Sequence, residues 1–169
     1  LDVAVVEGRI RHPDLVSIPL VHDMLVLACS RRHPFAGRAS LPVQELEGQD
    51  FVMRESGSGT RELFEDFLSR HRLSIQTAFE ESSPDAIRNV IKINNCLGVV
   101  SIRLLEEDIR RKEIYVFTSP HQEWNRLFSF VYHKDKYLSS PLLKLQEIIK
   151  GYDDLAYLHS LSGGTLLDM

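Results

Sequence analysis

The chain has 169 residues, of which 43% are hydrophobic and 26% charged, as is typical of a folded protein with a substantial core. Its formal net charge of −4 and its pI near 6.0 argue against direct nucleic-acid binding, which normally needs a basic surface. No apolar run is long enough to span a membrane, and the start of the chain does not resemble a signal peptide. We therefore predict a cytoplasmic protein without a membrane partner.

The first fifty residues are predicted to contain three strands and one short helical turn. Residues 21–23 are expected to separate the second strand from the third. Proline and glycine within 33–38 predict a turn, and the helical turn is placed at 42–46. The strands are predicted from continuous apolar runs, which are typical of strands buried on both faces. These runs lie at 2–6, 15–20 and 24–29.

A strand at 51–53 leads into a segment rich in glycine and hydroxyl side chains, which precedes an amphipathic helix at 60–72. The glycine–hydroxyl loop, as we name residues 56–60, consists of Ser56, Gly57, Ser58, Gly59 and Thr60. Such a loop aims backbone N–H groups at whatever lies before the helix, and the positive end of the helix dipole attracts an anion. This pattern indicates a ligand site. The alternative is that Ser58 or Gly59 only caps the helix.

The next helix start carries stronger local signals. It follows a strand at 77–79. Ser83 is placed to cap the helix, Pro84 occupies its first position, and Asp85 favours its first turn. The helix is predicted to end by Asn94.

The rest of the chain continues the alternation of strands and helices, which predicts an α/β fold with largely parallel sheets. A buried strand at 97–100 ends at Ser101. After Gly151 the pattern weakens, and the last residues are expected to fray or to be disordered. The other predicted elements are a helix at 104–111, a strand at 114–117, a connector at 119–125, a strand at 127–132 and a helix at 138–150.

The sequence contains no motif that indicates catalysis or cofactor binding. The glycine–hydroxyl loop is not a G-x-S-x-G nucleophile elbow, and it lacks the lysine of a phosphate-binding P-loop. Cys29 and Cys96 lie in apolar runs and are predicted to be buried thiols in a reducing compartment, with a redox pair as the alternative. No two histidines have metal-ligand spacing, so that neither a metal site nor a cofactor is predicted. The histidines are His12, His22, His33, His71, His121, His133 and His159.

Four polar segments follow predicted strands. Because ligands bind outside the carboxyl ends of strands in open α/β sheets, these segments are expected to converge on one crevice. They are Glu7-Gly8, the glycine–hydroxyl loop, Ser82-Ser83 and Ser101. Arg54, Arg61 and Arg103 lie beside them. Each arginine would either neutralise an anionic ligand or remain a solvated surface charge.

Seven blocks of the chain carry a resemblance by their order and spacing. They are Leu1 to Gly8, His12 to Leu15, Pro19-Leu20, Leu25 to Leu27, His33 to Gly37, Arg54 to Arg61 and Leu97 to Ser101. Together they closely resemble the effector-binding domain of LysR-type transcriptional regulators, and Arg54 to Arg61 matches the glycine-rich segment of that family. The resemblance covers roughly residues 1–150.

This resemblance implies a two-lobe, periplasmic-binding-protein-like fold of type 2 with mixed, mainly parallel sheets and a small effector between the lobes. The implied first lobe consists of residues 1–25 and 127–151, and the second of 26–118. Residues 119–126 would cross over, and 152–169 would form a C-terminal tail. Carried over position by position, the effector contacts would be Glu7, Ser56, Gly57, Ser58, Gly59, Thr60, Ser82, Ser83 and Ser101.

The resemblance also implies partners: a small, anionic effector, a second copy in a homodimer or homotetramer, and DNA bound only through a separate winged helix-turn-helix. That DNA-binding domain is not in this sequence, and neither are the βα units expected to precede Leu1 in the first lobe. We therefore expect the first lobe to be incomplete here and the sequence to be part of a longer chain. The alternatives are a solute-binding protein of a transport system, and an enzyme on the same scaffold of the prephenate-dehydratase or porphobilinogen-deaminase kind.

Overall fold

A computed structural model describes residues 2–7, 10–121, 124–152 and 155–168. The strands are β1 (Ala4–Glu7), β2 (Leu15–Ser30), β3 (Ser40–Pro42), β4 (Asp50–Arg54), β5 (Gln76–Glu81), β6 (Leu97–Ser101), β7 (Ile114–Thr118), β8 (Asn125–His133) and β9 (Gly164–Leu167). The helices are α1 (Gly59–His71), α2 (Pro84–Ile93), α3 (Ile102–Arg110), α4 (Ser140–Lys150) and α5 (Leu155–Ser160), with a 3-10 turn at Val43–Leu46. The chain divides into two compact units. Unit 1 consists of Leu1–Asp23 and Asn125–His159, and unit 2 of Met24–Trp124 and Ser160–Met169.

Unit 1 is built on an antiparallel pair of strands. β1 runs antiparallel to β8, with Val5 opposite Phe130. Phe130 is fully buried and packs with Leu20 and Val21 from the first part of β2. α4 has no buried residue within the described part of the chain, although Leu143 and Ile148 are apolar.

Unit 2 is a mixed sheet flanked by helices. Its strand order is β3-β9-β7-β2-β6-β4-β5. β2 pairs antiparallel with β6 and β7, whereas β4 runs parallel to both β5 and β6, and β9 runs parallel to both β3 and β7. The α/β class predicted from the alternation is confirmed, as is the mixed, mainly parallel sheet that the resemblance implies. α1, α2 and α3 follow the parallel strands β4, β5 and β6.

The core of unit 2 is aromatic where α1 meets the sheet. Phe64 and Phe67 lie one turn apart on the apolar face of α1, and both are fully buried. The Phe64 ring lies 5.0 Å from that of Phe51 on β4, and the Phe67 ring lies 5.2 Å from that of Trp124. Burying each phenylalanine contributes about 1.5–3 kcal/mol to stability. Their spacing of about one helical turn is the amphipathic pattern that predicts this helix from the sequence.

The predicted break at residues 21–23 is wrong, because β2 continues through them as one strand of 16 residues. The charged side chain of Asp23 is buried at 1% exposure and is paired with the guanidinium of Arg126. A buried charge is tolerated inside a strand when such a partner offsets its desolvation. The partner is distant in sequence, so local pattern could not reveal it.

The expectation that the last residues are frayed is also wrong, since they form α5 and β9. β9 lies between β3 and β7, and its Leu166 is fully buried. A Cβ atom added at Gly164 would lie 2.5 Å from the backbone oxygen of Arg38. Glycine here therefore permits close packing of neighbouring strands rather than disorder. Within the described residues, no helix is both long enough and apolar enough to cross a membrane.

Candidate functional site

Three parallel strands of unit 2 end at the same edge of the sheet, and each leads directly into a helix. Arg54 at the end of β4 lies opposite Glu81 at the end of β5, and Val52 lies opposite Gly98 of β6. The starts of α1, α2 and α3 therefore meet at one edge. We name the residues of these starts, 54–60, 81–83 and 101, the carboxyl edge. Three of the four predicted polar segments are brought together there.

The glycine–hydroxyl loop forms a tight turn before α1. The backbone N–H of Ser58 donates to the carbonyl of Glu55 at 3.2 Å, and Gly57 has a φ of +83°. A positive φ at this third position is typical of a type II turn and explains the glycine. Glu62 then donates to the carbonyl of Ser58 at 3.0 Å, which opens the helix.

Ser58 occupies the N-cap position of α1, but its side chain makes no capping hydrogen bond. The first N–H groups of a helix have no acceptor within the helix, and a serine at this position usually accepts from one of them. The Ser58 hydroxyl is thus not committed to the role that the capping interpretation assigned to it. N–H groups at a helix start also attract anions.

Ser83 and Ser101, in contrast, do cap their helices. The Ser83 hydroxyl accepts from the N–H of Ala86 at 3.4 Å, as predicted for the start of α2. The Ser101 hydroxyl accepts from the N–H of Arg103 at 3.2 Å at the start of α3. A serine hydroxyl that accepts one bond still has a proton to donate, so capping and ligand contact are compatible at both positions. Ser82 is exposed beside Ser83.

A small depression lies at this edge, beneath the start of α1. Its cavity volume is only about 10 Å³, and it is lined by Val52, Met53, Arg54, Thr60, Arg61, Phe64 and Val99. Thr60 is its hydroxyl residue and is only 8% exposed. The depression is smaller than the roughly 300–1,000 Å³ of pockets for drug-sized ligands. It therefore has room for about one water molecule or one ligand atom.

The arginines of the loop are already paired with carboxylates. Arg54 donates two hydrogen bonds to Glu55, both at 2.7 Å, and these lower the pKa of the Glu55 carboxyl. Arg61 donates at 2.7 Å to Glu65 and to Glu80. Because these carboxylates balance the guanidinium charges, an anion at this edge would depend mainly on N–H and hydroxyl donors.

Glu7, from the remaining one of the four predicted polar segments, belongs to unit 1. It ends β1, is 44% exposed at its side chain, and accepts a hydrogen bond from Arg126 at 3.2 Å. Its neighbour Gly8 lies outside the described residues. The structure thus gives Glu7 an ion-pair partner within unit 1, where its strand β1 pairs with β8.

Both cysteines are buried free thiols, Cys29 on β2 and Cys96 just before β6. Burial raises the pKa of the Cys29 thiol to about 12 and that of Cys96 to about 11. A reactive cysteine needs the opposite, an exposed thiol with a lowered pKa. The prediction of small buried hydrophobic residues is confirmed.

Comparison with known proteins identifies a matching family and similar transcriptional regulators. Residues 1–153 match the family model described as the LysR substrate binding domain. The HTH-type transcriptional regulator CysL of Bacillus subtilis (strain 168) is 28% identical over 131 residues, which cover 78% of this chain and 44% of that protein. The chain thus spans less than half of the length of this relative.

Solved structures give the same result for the fold. The regulatory domain of Synechocystis PCC6803 CcmR, in complex with 2-PG, superposes with a TM-score of 0.76 and 25% identity, over 90% of this chain and 74% of that one. The effector binding domain of QuiR in complex with shikimate has a TM-score of 0.67 and 16% identity, over 91% of this chain and 72% of that one. The QuiR likeness concerns the fold alone.

Proposed function

Since the chain belongs to the LysR substrate-binding domain family, we propose that it senses a small, anionic metabolite and relays its binding to an attached DNA-binding domain. The curated relative CysL is a transcriptional regulator. This favours regulation over the alternative of a transport-system solute-binding protein. It also favours a binding role over catalysis, and a cytoplasmic location. The net charge of −4 agrees with leaving DNA contact to another part of the protein.

The observation that carries the proposal is the meeting of three helix starts at the carboxyl edge. Each start presents N–H groups that lack acceptors inside the helix, together with serine or threonine hydroxyls. Such donors suit a carboxylate, a phosphate or a sulfate group. The uncommitted hydroxyl of Ser58 is the clearest donor among them.

The proposed effector contacts within unit 2 are Ser56, Gly57, Ser58, Gly59, Thr60, Ser82, Ser83 and Ser101. Thr60 would hold the group that enters the depression under α1. Because Arg54 and Arg61 are paired with carboxylates, they would orient the loop rather than neutralise the ligand.

Effector binding regulates only if the ligand prefers one arrangement of the protein, since equal affinity for two arrangements shifts nothing. We propose that the chain acts in a homodimer or homotetramer, so that a shift between arrangements alters the spacing of the attached DNA-binding domains. A coding region for a helix-turn-helix upstream of Leu1 is expected. A leader peptide there would instead support the transport alternative.

A thermal-shift titration with inorganic sulfate, inorganic phosphate, 2-PG and shikimate tests the binding role. A ligand at 100 times its Kd stabilises by about 2.7 kcal/mol. This amount would raise the Tm of a chain of this size by roughly 5–10 °C. The proposal expects a saturable shift with at least one anion and none with an uncharged sugar alcohol. Equal shifts with all solutes, or none with any anion, would contradict it.

A further inference from the structure

We propose that His71, His121 and Asp168 form a binding site for a divalent transition-metal ion of the Zn²⁺ class. The three residues come from the end of α1, the segment after β7 and the residue after β9, and all belong to unit 2. One potential ligand atom from each lies within 4.8 Å of the other two. Spacing along the chain could not show this cluster, because its members are 50 and 47 residues apart.

The donor set suits zinc rather than magnesium or calcium. Two imidazoles and one carboxylate resemble the His₂Glu set of zinc sites that keep a position open for water. Mg²⁺ and Ca²⁺ favour oxygen ligands alone. The site thus selects by chemistry for Zn²⁺ and its first-row neighbours.

The distances are close to those that a metal requires. Nε2 of His121 lies 3.0 Å from one oxygen of Asp168, and Nε2 of His71 lies 3.5 Å from the other. Two ligands each about 2.0–2.2 Å from a tetrahedral zinc ion are about 3.3–3.6 Å apart. Small side-chain rotations would therefore complete the site.

A buried nitrogen of one cluster member lacks a hydrogen bond within the described residues. Nε2 of His121 is inaccessible to solvent and has no hydrogen-bond partner within the described residues, although the Asp168 oxygen is near. Leaving a buried polar atom unsatisfied costs about 1–3 kcal/mol. Coordination of a metal ion by this nitrogen would remove that penalty.

Aromatic packing holds both imidazoles in place before any ion binds. The ring of Phe67 lies 4.5 Å from that of His71 and 5.6 Å, edge-on, from that of His121. Phe67 is itself fully buried against Trp124. Ligands whose orientation is fixed by their neighbours lose little entropy on binding, which favours affinity.

The helix dipole adds to the attraction for a cation. His71 is the last residue of α1, where the partial charge of the helix is negative, and Asp168 contributes a carboxylate. α1 has 13 residues and is about 20 Å long, so the site lies at the opposite end of this helix from the glycine–hydroxyl loop. A bound ion would fasten the end of β9 to α1, independently of the effector.

Titration of the untagged full chain with ZnCl₂, followed by calorimetry, tests the proposal, with MgCl₂ as the reference ion. We expect one Zn²⁺ per chain, a rise in Tm with Zn²⁺ and no response to Mg²⁺. His121→Ala and Asp168→Asn are each expected to weaken Zn²⁺ binding by at least about tenfold. His133→Ala is the matched control, because His133 also faces a carboxylate, that of Asp135 at 3.7 Å, yet is outside the cluster.

Spectroscopy on the unmodified chain keeps the test independent of how well the variants fold. CoCl₂ should produce the intense visible bands of a four-coordinate Co²⁺ site, and Zn²⁺ should bleach them. Absence of these bands, no Zn²⁺ binding by the unmodified chain, or binding that survives both His121→Ala and Asp168→Asn would overturn the proposal and leave only His–Asp ion pairs. Ser58→Ala should bind Zn²⁺ normally, which separates this site from the effector site.

Discussion

Arg126 binds the carboxylate of Asp23, although the two residues are 103 positions apart: its Nε and one terminal nitrogen lie 3.1 Å and 2.5 Å from Oδ2 of Asp23. Asp23 is 1% exposed in the middle of β2, so its charge is almost wholly removed from water. The same guanidinium reaches Glu7 at the end of β1. This ion pair is what allows a charged residue inside a continuous strand.

Arg126→Met is expected to destabilise the protein by about 3–5 kcal/mol, because it removes the guanidinium that pairs with the buried carboxylate of Asp23. Urea unfolding monitored by circular dichroism measures the loss. Arg111→Ala is the control, since Arg111 and Glu107 form a largely exposed pair, and it should cost less than about 1 kcal/mol. The double variant Asp23→Asn with Arg126→Met should recover part of the loss. Equal stability of Arg126→Met and the unmodified chain would refute this account.

Ser58→Ala is expected to weaken binding of the anionic effector by roughly fivefold or more, because it removes one hydrogen bond, worth about 1 kcal/mol or above when the acceptor is charged. Stability should stay within about 0.5 kcal/mol, since the Ser58 side chain makes no capping bond. Calorimetry with the anion that gives the largest thermal shift measures the change. Ser139→Ala is the matched control, because Ser139 is also an N-cap without a side-chain bond, but at α4 in unit 1. Unchanged affinity in Ser58→Ala would remove this residue from the site.

Thr60→Ala should weaken the same binding but also lower stability by about 1 kcal/mol, because Thr60 is buried in the depression under α1. Comparing its affinity loss with that of Ser58→Ala shows whether the ligand enters the depression. Loss of stability with full affinity would make Thr60 a packing residue only.

Both cysteines are expected to react slowly with Ellman's reagent in the native protein at pH 8 and rapidly in urea. Burial raises the pKa of Cys29 to about 12 and of Cys96 to about 11, so the native thiols stay protonated, whereas the thiolate is the reactive form. Below pH 9 both the folded and the unfolded thiols are protonated. Above it only the unfolded thiols ionise readily, so the free energy of unfolding should fall progressively as the pH rises from about 9 towards 12. Fast native labelling, or a disulfide between the two, would contradict the buried-thiol assignment.

Gly164→Ala is expected to destabilise the protein by about 2 kcal/mol or more, because the new methyl group would press on the Arg38 carbonyl and on the Phe117 ring. The midpoint of thermal unfolding measures this loss. Gly59→Ala serves as the control, since a Cβ there meets no atom within 4 Å. A Gly164→Ala variant as stable as Gly59→Ala would show that β9 is not held as described.

The start of α2 shows what local sequence can predict. Ser83, Pro84 and Asp85 act through the backbone within one helical turn, and Ser83 does cap the helix as predicted. The core face of α1 was equally readable, because its buried Phe64, Phe67 and Leu68 recur at helical spacing. These signals need no knowledge of the rest of the chain.

The glycine–hydroxyl loop shows what local sequence could not predict. Its composition indicated either a cap or a ligand site, and the choice depended on whether the Ser58 side chain bonds to the helix. The pairing of Arg54 and Arg61 with carboxylates was likewise unknown, since Glu80 is 19 residues from Arg61. Hydrogen bonding between segments decides how much charge remains for a ligand.

Local sequence predicts the α/β class, the family resemblance and the helix starts, because periodicity, capping and turn chemistry act over a few residues. The folded chain was needed to show that β2 continues through Asp23, that the last residues form β9, and that His71, His121 and Asp168 meet. Each of these depends on partners tens of residues away or more. Residues that are close in space but distant in sequence determine the role of a buried charge, of a glycine between strands or of a ligand cluster.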